Sequence, residues 1–140
     1  MTTQNTQTEY IFAQAQLHTR MMRRIDQRLS LHGISFTEYA ILSQLSDSPG
    51  QTMRRIDLAD AIGITASGVT RLLGPMEKIR LVEKEKNERD ARVSLVKLSK
   101  GGATILSEAK TTLEYAAEEL LSPLTENQLE KLLKYTIRLT

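Results

Sequence analysis

The spacing of small and apolar residues between Leu58 and Leu72 constrains this chain more than any other feature. Two short helices that cross closely need a small residue at the contact, and Ala59 is one. They need a residue tolerant of unusual backbone angles in the turn four positions later, and Gly63 supplies it. Leu58, Ile62, Ile64, Val69 and Leu72 stand where the small core between them must close. Thr65 is a good N-cap for the second helix. The pattern predicts a helix over Arg54–Ile62, a turn at Gly63, and a helix from Thr65 to about Arg80. Two ordinary packed helices would meet part of it; the ribbon that follows favours a helix-turn-helix. Leu81–Lys86 and Arg92–Leu98 read as two strands joined by Asn87–Ala91, and Thr52-Met53 as a short strand pairing with them. Pro75 removes one backbone donor inside the second helix and predicts a kink there.

Helices flank this module. Thr8–Leu31 carries Ile11, Ala15, His18, Met22, Ile25 and Leu29 on one seam, and Phe12, Leu17 and Met21 widen its apolar face. His32-Gly33 ends it. Ser35 and Glu38 form a capping box for a helix reaching about Ser46. Asp47-Ser48-Pro49-Gly50 is a turn. After the ribbon, Ser99 caps a helix with Ile105, Ala109, Leu113, Ala116 and Leu120 on one stripe, although Gly101 and Gly102 weaken its first turn. Pro123 closes it. Thr125 and Gln128 cap a last helix with Leu129, Leu132, Leu133 and Ile137 expected inward. Met1–Thr8 reads as a frayed polar lead-in, not a secretory signal.

The fold class expected is mainly α with a small β wing: a winged helix-turn-helix flanked by N- and C-terminal dimerisation helices. Residues 1–34 form the N-terminal dimerisation helix, 35–100 the DNA-binding region, and 101–140 the C-terminal dimerisation helices. The flanking apolar faces are wider than one 140-residue subunit needs, which points to a dimer.

Charge distribution supports a nucleic-acid partner. Met53–Lys100 holds eleven Lys/Arg against seven Asp/Glu, net +4, whereas Met1–Thr52 is neutral and Gly101–Thr140 is net −2. On the second helix, Ala66, Ser67, Thr70 and Arg71 point away from Val69 and Leu72. Ser67 and Thr70 suit base edges or phosphates, Arg71 suits guanine or phosphate, and the helix N-terminus at Thr65 favours phosphate. At the ribbon tip, Arg89 and Arg92 suit a minor groove, and Asp90 suits holding an arginine in place. Gly68 either lets the backbone approach DNA closely or serves packing.

With zero cysteines, a disulfide framework, thiolate metal sites and cysteine-oxidation sensing are excluded. No apolar run approaches the roughly 18 residues of a membrane helix. A cytoplasmic protein is expected. His18 and His32, fourteen residues apart, stand roughly 21 Å apart along one helix and cannot share an ion within a subunit. No metal site, cofactor or catalytic constellation is read.

Taken together, these residues resemble the MarR (multiple antibiotic resistance regulator) family of bacterial transcription factors. The resemblance covers nearly the whole chain. It rests chiefly on Ile62 through Leu72, on Glu88-Arg89-Asp90-Ala91-Arg92, and on Leu98-Ser99-Lys100-Gly101-Gly102. It implies a homodimer joined through the terminal helices and bound to a palindromic double-stranded operator. Ser67–Leu73 would enter the major groove. Arg92, oriented by Asp90, would enter the minor groove. It further implies a repressor released by a small, often aromatic or phenolic, ligand between the dimer layer and the DNA-binding layer, with His18 and Tyr39 bordering that cleft. A histidine on an apolar seam also fits a satisfied core or interface residue. Two positions depart from the family pattern. Arg80 stands where a glycine usually ends the recognition helix, and Arg54 where Ser or Thr commonly caps the preceding helix. The competing function is a winged-helix protein-interaction module without DNA binding.

Overall fold

The computed structural model describes residues 5–90 and 92–140. Residues 1–4 of the expected lead-in, and Ala91 of the expected ribbon loop, lie outside them. Helix α1 (Thr6–Leu29) starts two residues earlier than expected, because the Asn5 side chain accepts from the Gln7 and Thr8 amides. A 3-10 turn, Ser30–His32, continues it, and Gly33 closes the turn at φ 74°. The Ser35–Glu38 capping box opens α2 (Phe36–Asp47) with both reciprocal bonds in place. Strand β1 (Thr52–Arg54) leads into α3 (Arg55–Ile62), followed by α4 (Ala66–Lys78). Strands β2 (Val82–Lys86) and β3 (Ser94–Leu98) form the wing, and α5 (Lys100–Leu121) and α6 (Glu126–Leu139) complete the chain.

The sheet has the order β1-β3-β2, all antiparallel. Met53 lies opposite Val96, and Val82 opposite Leu98. This register turns Val82, Val96 and Leu98 inward. They meet Leu42, Leu45, Leu58, Val69, Leu73 and Met76 in a core that also takes Ile25 and Leu29 from α1 and Ala109 from α5. The base of the flanking helices and the winged module therefore share one hydrophobic core. Each fully buried Leu in it contributes about 1.5–3 kcal/mol. Arg24 and Arg28 of α1 both pair with Glu119 of α5. All three are about half exposed, so each pair adds at most about 1 kcal/mol. None of the helices described is long and apolar enough to cross a membrane.

Two expectations are corrected. Leu132, Leu133 and Ile137 of α6 do not face inward: all three are exposed, and α6 contributes no buried residue. Among the described residues the helix finds no apolar cover for these three side chains. The first half of α1 behaves likewise, with Ile11, Phe12 and Leu17 exposed. The second correction concerns α4, which ends at Lys78 rather than Arg80 but runs as one helix through Pro75.

The helix ends where Arg80 takes φ +61°, the left-handed conformation that its place in the family pattern foreshadowed. The Ser99 hydroxyl donates to the Arg80 carbonyl at 2.6 Å and locks the junction. Arg80→Gly is therefore expected to stabilise the chain by up to about 1 kcal/mol by removing Cβ strain. Chemical denaturation would show a raised midpoint; an unchanged or lowered one would mean that the arginine side chain offsets its strain.

Candidate nucleic-acid interface

The helix-turn-helix closes as its residue types dictate. Gly63, at φ 75°, accommodates the turn, and the Gly63 and Ile64 amides both donate to the Ala59 carbonyl, at 2.9 and 3.1 Å. Ala59 is buried at the helix contact. Leu58 and Val69 are fully enclosed, Ile62, Ile64 and Leu72 partly so. Leu73, which the spacing argument passed over, is also fully buried. The Thr65 hydroxyl caps α4 by accepting from the Gly68 amide at 3.0 Å. A Cβ on Gly68 would stand 3.1 Å from that hydroxyl. A side chain at this position would therefore crowd the cap.

Thr65, Ala66, Ser67, Thr70 and Arg71 are all exposed along one side of the start of α4. Ser67 and Thr65 share a hydroxyl–hydroxyl bond of 3.1 Å. Thr70 donates to the Ala66 carbonyl at 3.1 Å. The Arg71 side chain makes no hydrogen bond or ion pair among the described residues. The face combines fixed hydroxyls, a free guanidinium and the unpaired amides of a helix N-terminus.

The wing tip is built around Asp90. Its carboxylate accepts from the Arg92 backbone amide at 3.0 Å and from the Arg92 guanidinium at 3.1 and 3.4 Å. Arg92 nevertheless leaves 91% of its side chain in solvent. The result is a cation held at its base and presented outward. The Arg92 side chain, and then its amide, hold the Asp90 carboxyl below the usual carboxylate range. A lowered folded-state value means the interaction is present above the ordinary carboxylate pKa of about 3.9 and lost only as pH falls through the lowered value. The clamp is therefore closed at neutral pH. Asn87 accepts from the Arg89 amide at 2.8 Å and shapes the turn.

Sequence reasoning missed one residue here. Arg55, at the start of α3, lies across α4. Its Nη1 is 3.5 Å from the Thr70 hydroxyl and its Nη2 is 3.8 Å from Glu77, which is 3.8 Å from Lys84 of β2. The Arg55 Nε is enclosed without an acceptor among the described residues. Only its unusual burial distinguishes it from a surface arginine, and a linear pattern carries no such signal. Arg54, by contrast, does not cap α3 with its side chain; it pairs with Asp57 at 2.9 Å, which lowers the Asp57 pKa.

Between α1, α2 and the helix-turn-helix lies a cleft of about 340 Å³, bordered by His18, Met22, Phe36, Ile62, Gly63 and Ile64. His18 lies on the rim of this cleft. Tyr39 is not among its lining residues. Helix geometry turns it about 60° from Phe36, and its phenol, raised in pKa by burial, faces the charges of Glu114 and Asp47. His32, just beyond α1, is bonded to Thr112 at 2.6 Å.

Residues 32–93 match the model of the MarR family. Over this segment the chain is similar to the MarR family. Its fold is also that of solved relatives. Sco3205, a MarR family transcriptional regulator from Streptomyces coelicolor solved in complex with DNA, superposes with a TM-score of 0.88 at 20% identity, covering 99% of this chain and 89% of that one. A mutant MarR from E. coli complexed with operator DNA gives 0.80 at 22% identity over 89% and 87%. The organohalide-sensing regulator RdhR in its 2,4-dichlorophenol-bound form gives 0.89 at 20% identity over 98% and 80%. The matched segment contains both halves of the helix-turn-helix and the wing through Val93. The three-stranded sheet and flanking helices complete the same architecture.

Proposed function

We propose that this chain is a homodimeric transcriptional regulator that binds duplex DNA in a sequence-specific way and releases it, as a repressor, when a small aromatic ligand binds. The observation that carries the reading is the wing clamp: an arginine held by Asp90 yet almost wholly solvent-exposed has no structural use within the subunit. Its suited partner is an anionic groove. Thr65, Ala66, Ser67, Thr70 and Arg71 serve as the major-groove face, with Arg89, Asp90 and Arg92 at the minor groove. Residues 35–100 act as the DNA-binding region; 1–34 and 101–140 supply the dimer layer. Relatives solved with DNA and with 2,4-dichlorophenol support both halves of the reading. We infer a cytoplasmic site of action from the DNA-binding role.

The cleft beside His18 suits the ligand. It abuts Ile62, Gly63 and Ile64, so an occupant would press on the turn that sets the α3–α4 angle.

A palindromic operator with half-sites about one helical turn apart is expected, with binding that weakens steeply as salt rises. Arg92→Ala should weaken operator binding by about 1–3 kcal/mol without changing the fold. Fluorescence anisotropy with duplex recovered from genomic DNA by the purified protein reads this directly. Salt-insensitive binding, or none to any duplex, would favour a protein-interaction module instead.

A further inference from the structure

We infer that Arg55 and Lys84 form a phosphate seat on the floor between α4 and the wing, where they hold the one DNA strand that crosses from the helix to the wing tip. The inference rests on the DNA-binding reading above and deepens it with a contact that lies outside both base-facing probes.

Neighbouring major and minor grooves of a duplex are separated by a single sugar–phosphate strand. With α4 in one groove and Arg92 in the next, that strand passes between helix and wing, over the residues that join them. Three charged residues meet there. Glu77 of α4 lies 3.8 Å from Arg55 of α3 and 3.8 Å from Lys84 of β2. Glu77 follows Thr70 by seven residues, so both occupy one flank of α4. Lys84 stands opposite the buried Val96, which puts it on the face of the sheet that packs toward α4. The floor carries two cations to one carboxylate, net +1. Glu77 with Lys84 alone would be neutral and would give a phosphate no reason to settle. Arg55 supplies the excess charge.

Arg55 is also short of acceptors. A guanidinium has five N–H donors. Among the described residues its side chain reaches the Thr70 hydroxyl at 3.5 Å, the outer limit of a hydrogen bond, and Glu77 at 3.8 Å, beyond one. Its Nε is the one buried side-chain nitrogen or oxygen among them without an acceptor. Arginines that work within the subunit are bonded closely: Arg54 to Asp57 at 2.9 and 3.2 Å, Arg24 to Glu119 at 3.0 Å. Arg55 is held near its acceptors but not on them, with 27% of its side chain in solvent beside the 64% exposed Lys84. Its unused donors suit an anion that arrives from outside, and a phosphate matches the guanidinium fork.

The experiment takes a duplex enriched from a randomised pool by the full-length wild type. Each phosphate of one half-site is replaced in turn by a neutral methylphosphonate, and affinities are read by anisotropy over a range of salt. Wild type should lose about tenfold at the seated phosphate. Arg55→Met should bind the unmodified duplex about tenfold more weakly at about 0.1 M salt, with a slope of log affinity against log salt shallower by about one. It should lose nothing further at that methylphosphonate and should enrich the same sequence as wild type. Arg55→Lys, which keeps the charge, should keep the slope. Should Arg55→Met fail to fold, Lys84→Met tests the same seat, because its side chain is mostly exposed: its slope should also fall by about one. An unchanged slope in a folded Arg55→Met or in Lys84→Met overturns the inference. So does an Arg55→Met variant as sensitive as wild type at every methylphosphonate, or one that enriches a different sequence. Wild type that enriches no sequence overturns the DNA-binding reading itself.

Discussion

The double substitution Leu133→Glu, Ile137→Glu is expected to yield a folded monomer that binds its operator at least about 100-fold more weakly than wild type. Both side chains are mostly exposed within the subunit, at 58% and 62%. Charging them therefore costs the subunit core almost nothing. Their apolar stripe needs cover, which the proposed dimer takes from a second copy of the chain, and Phe12, Leu17, Tyr115 and Leu139 are also exposed on the terminal helices. Uncompensated carboxylates in such an interface are strongly unfavourable. A monomer must engage each half-site alone and loses the effective concentration that the second module enjoys, worth about 10²–10⁴ in affinity. Light scattering would report the mass and anisotropy the affinity. A double variant that stays dimeric with unchanged binding would remove α6 from the dimer interface.

Gly102→Ala is expected to destabilise the subunit by about 3 kcal/mol or more, or to prevent folding. A Cβ there would stand 2.1 Å from the Leu81 carbonyl oxygen and 2.8 Å from a Leu98 methyl. The first is backbone in the wing base, so relief requires moving α5 away from the sheet. Overpacking in a tight core costs typically 1–3 kcal/mol, and backbone collisions lie at the upper end. The same shift would disturb the Ser99 bonds to Arg80 and Gly102, which seat α5 on the end of α4. Gly74→Ala makes the control, since a Cβ there meets nothing within 4 Å. Urea denaturation of both variants separates the two cases. Equal midpoints would show that the wing base yields easily.

How much of this was legible beforehand depends on whether the determinant is local. The caps at Ser35, Thr65, Ser99 and Thr125 were readable because each is a side chain accepting from the amide three residues on. The Asp90–Arg92 clamp was readable because its partners are two residues apart. The left-handed Arg80 could be suspected from a departure in the family pattern. Which neighbour Tyr39 faces was not readable, because an apolar position on a helix does not announce it. The inward reading of Leu132, Leu133 and Ile137 failed for a related reason. A periodic stripe shows that a face is apolar and leaves open what will cover it.

The sequence by itself therefore determined the helix-turn-helix, its caps and the outward polar face of Ser67, Thr70 and Arg71, all governed by spacings within about one or two helical turns. Only the tertiary structure decided three matters. It set Gly102 against Leu81, laid Arg55 beside Thr70, and left Leu132, Leu133 and Ile137 of α6 exposed in the subunit. Each depends on how distant segments approach one another, and that is a property of the packed core shared by α1, α4, the sheet and α5.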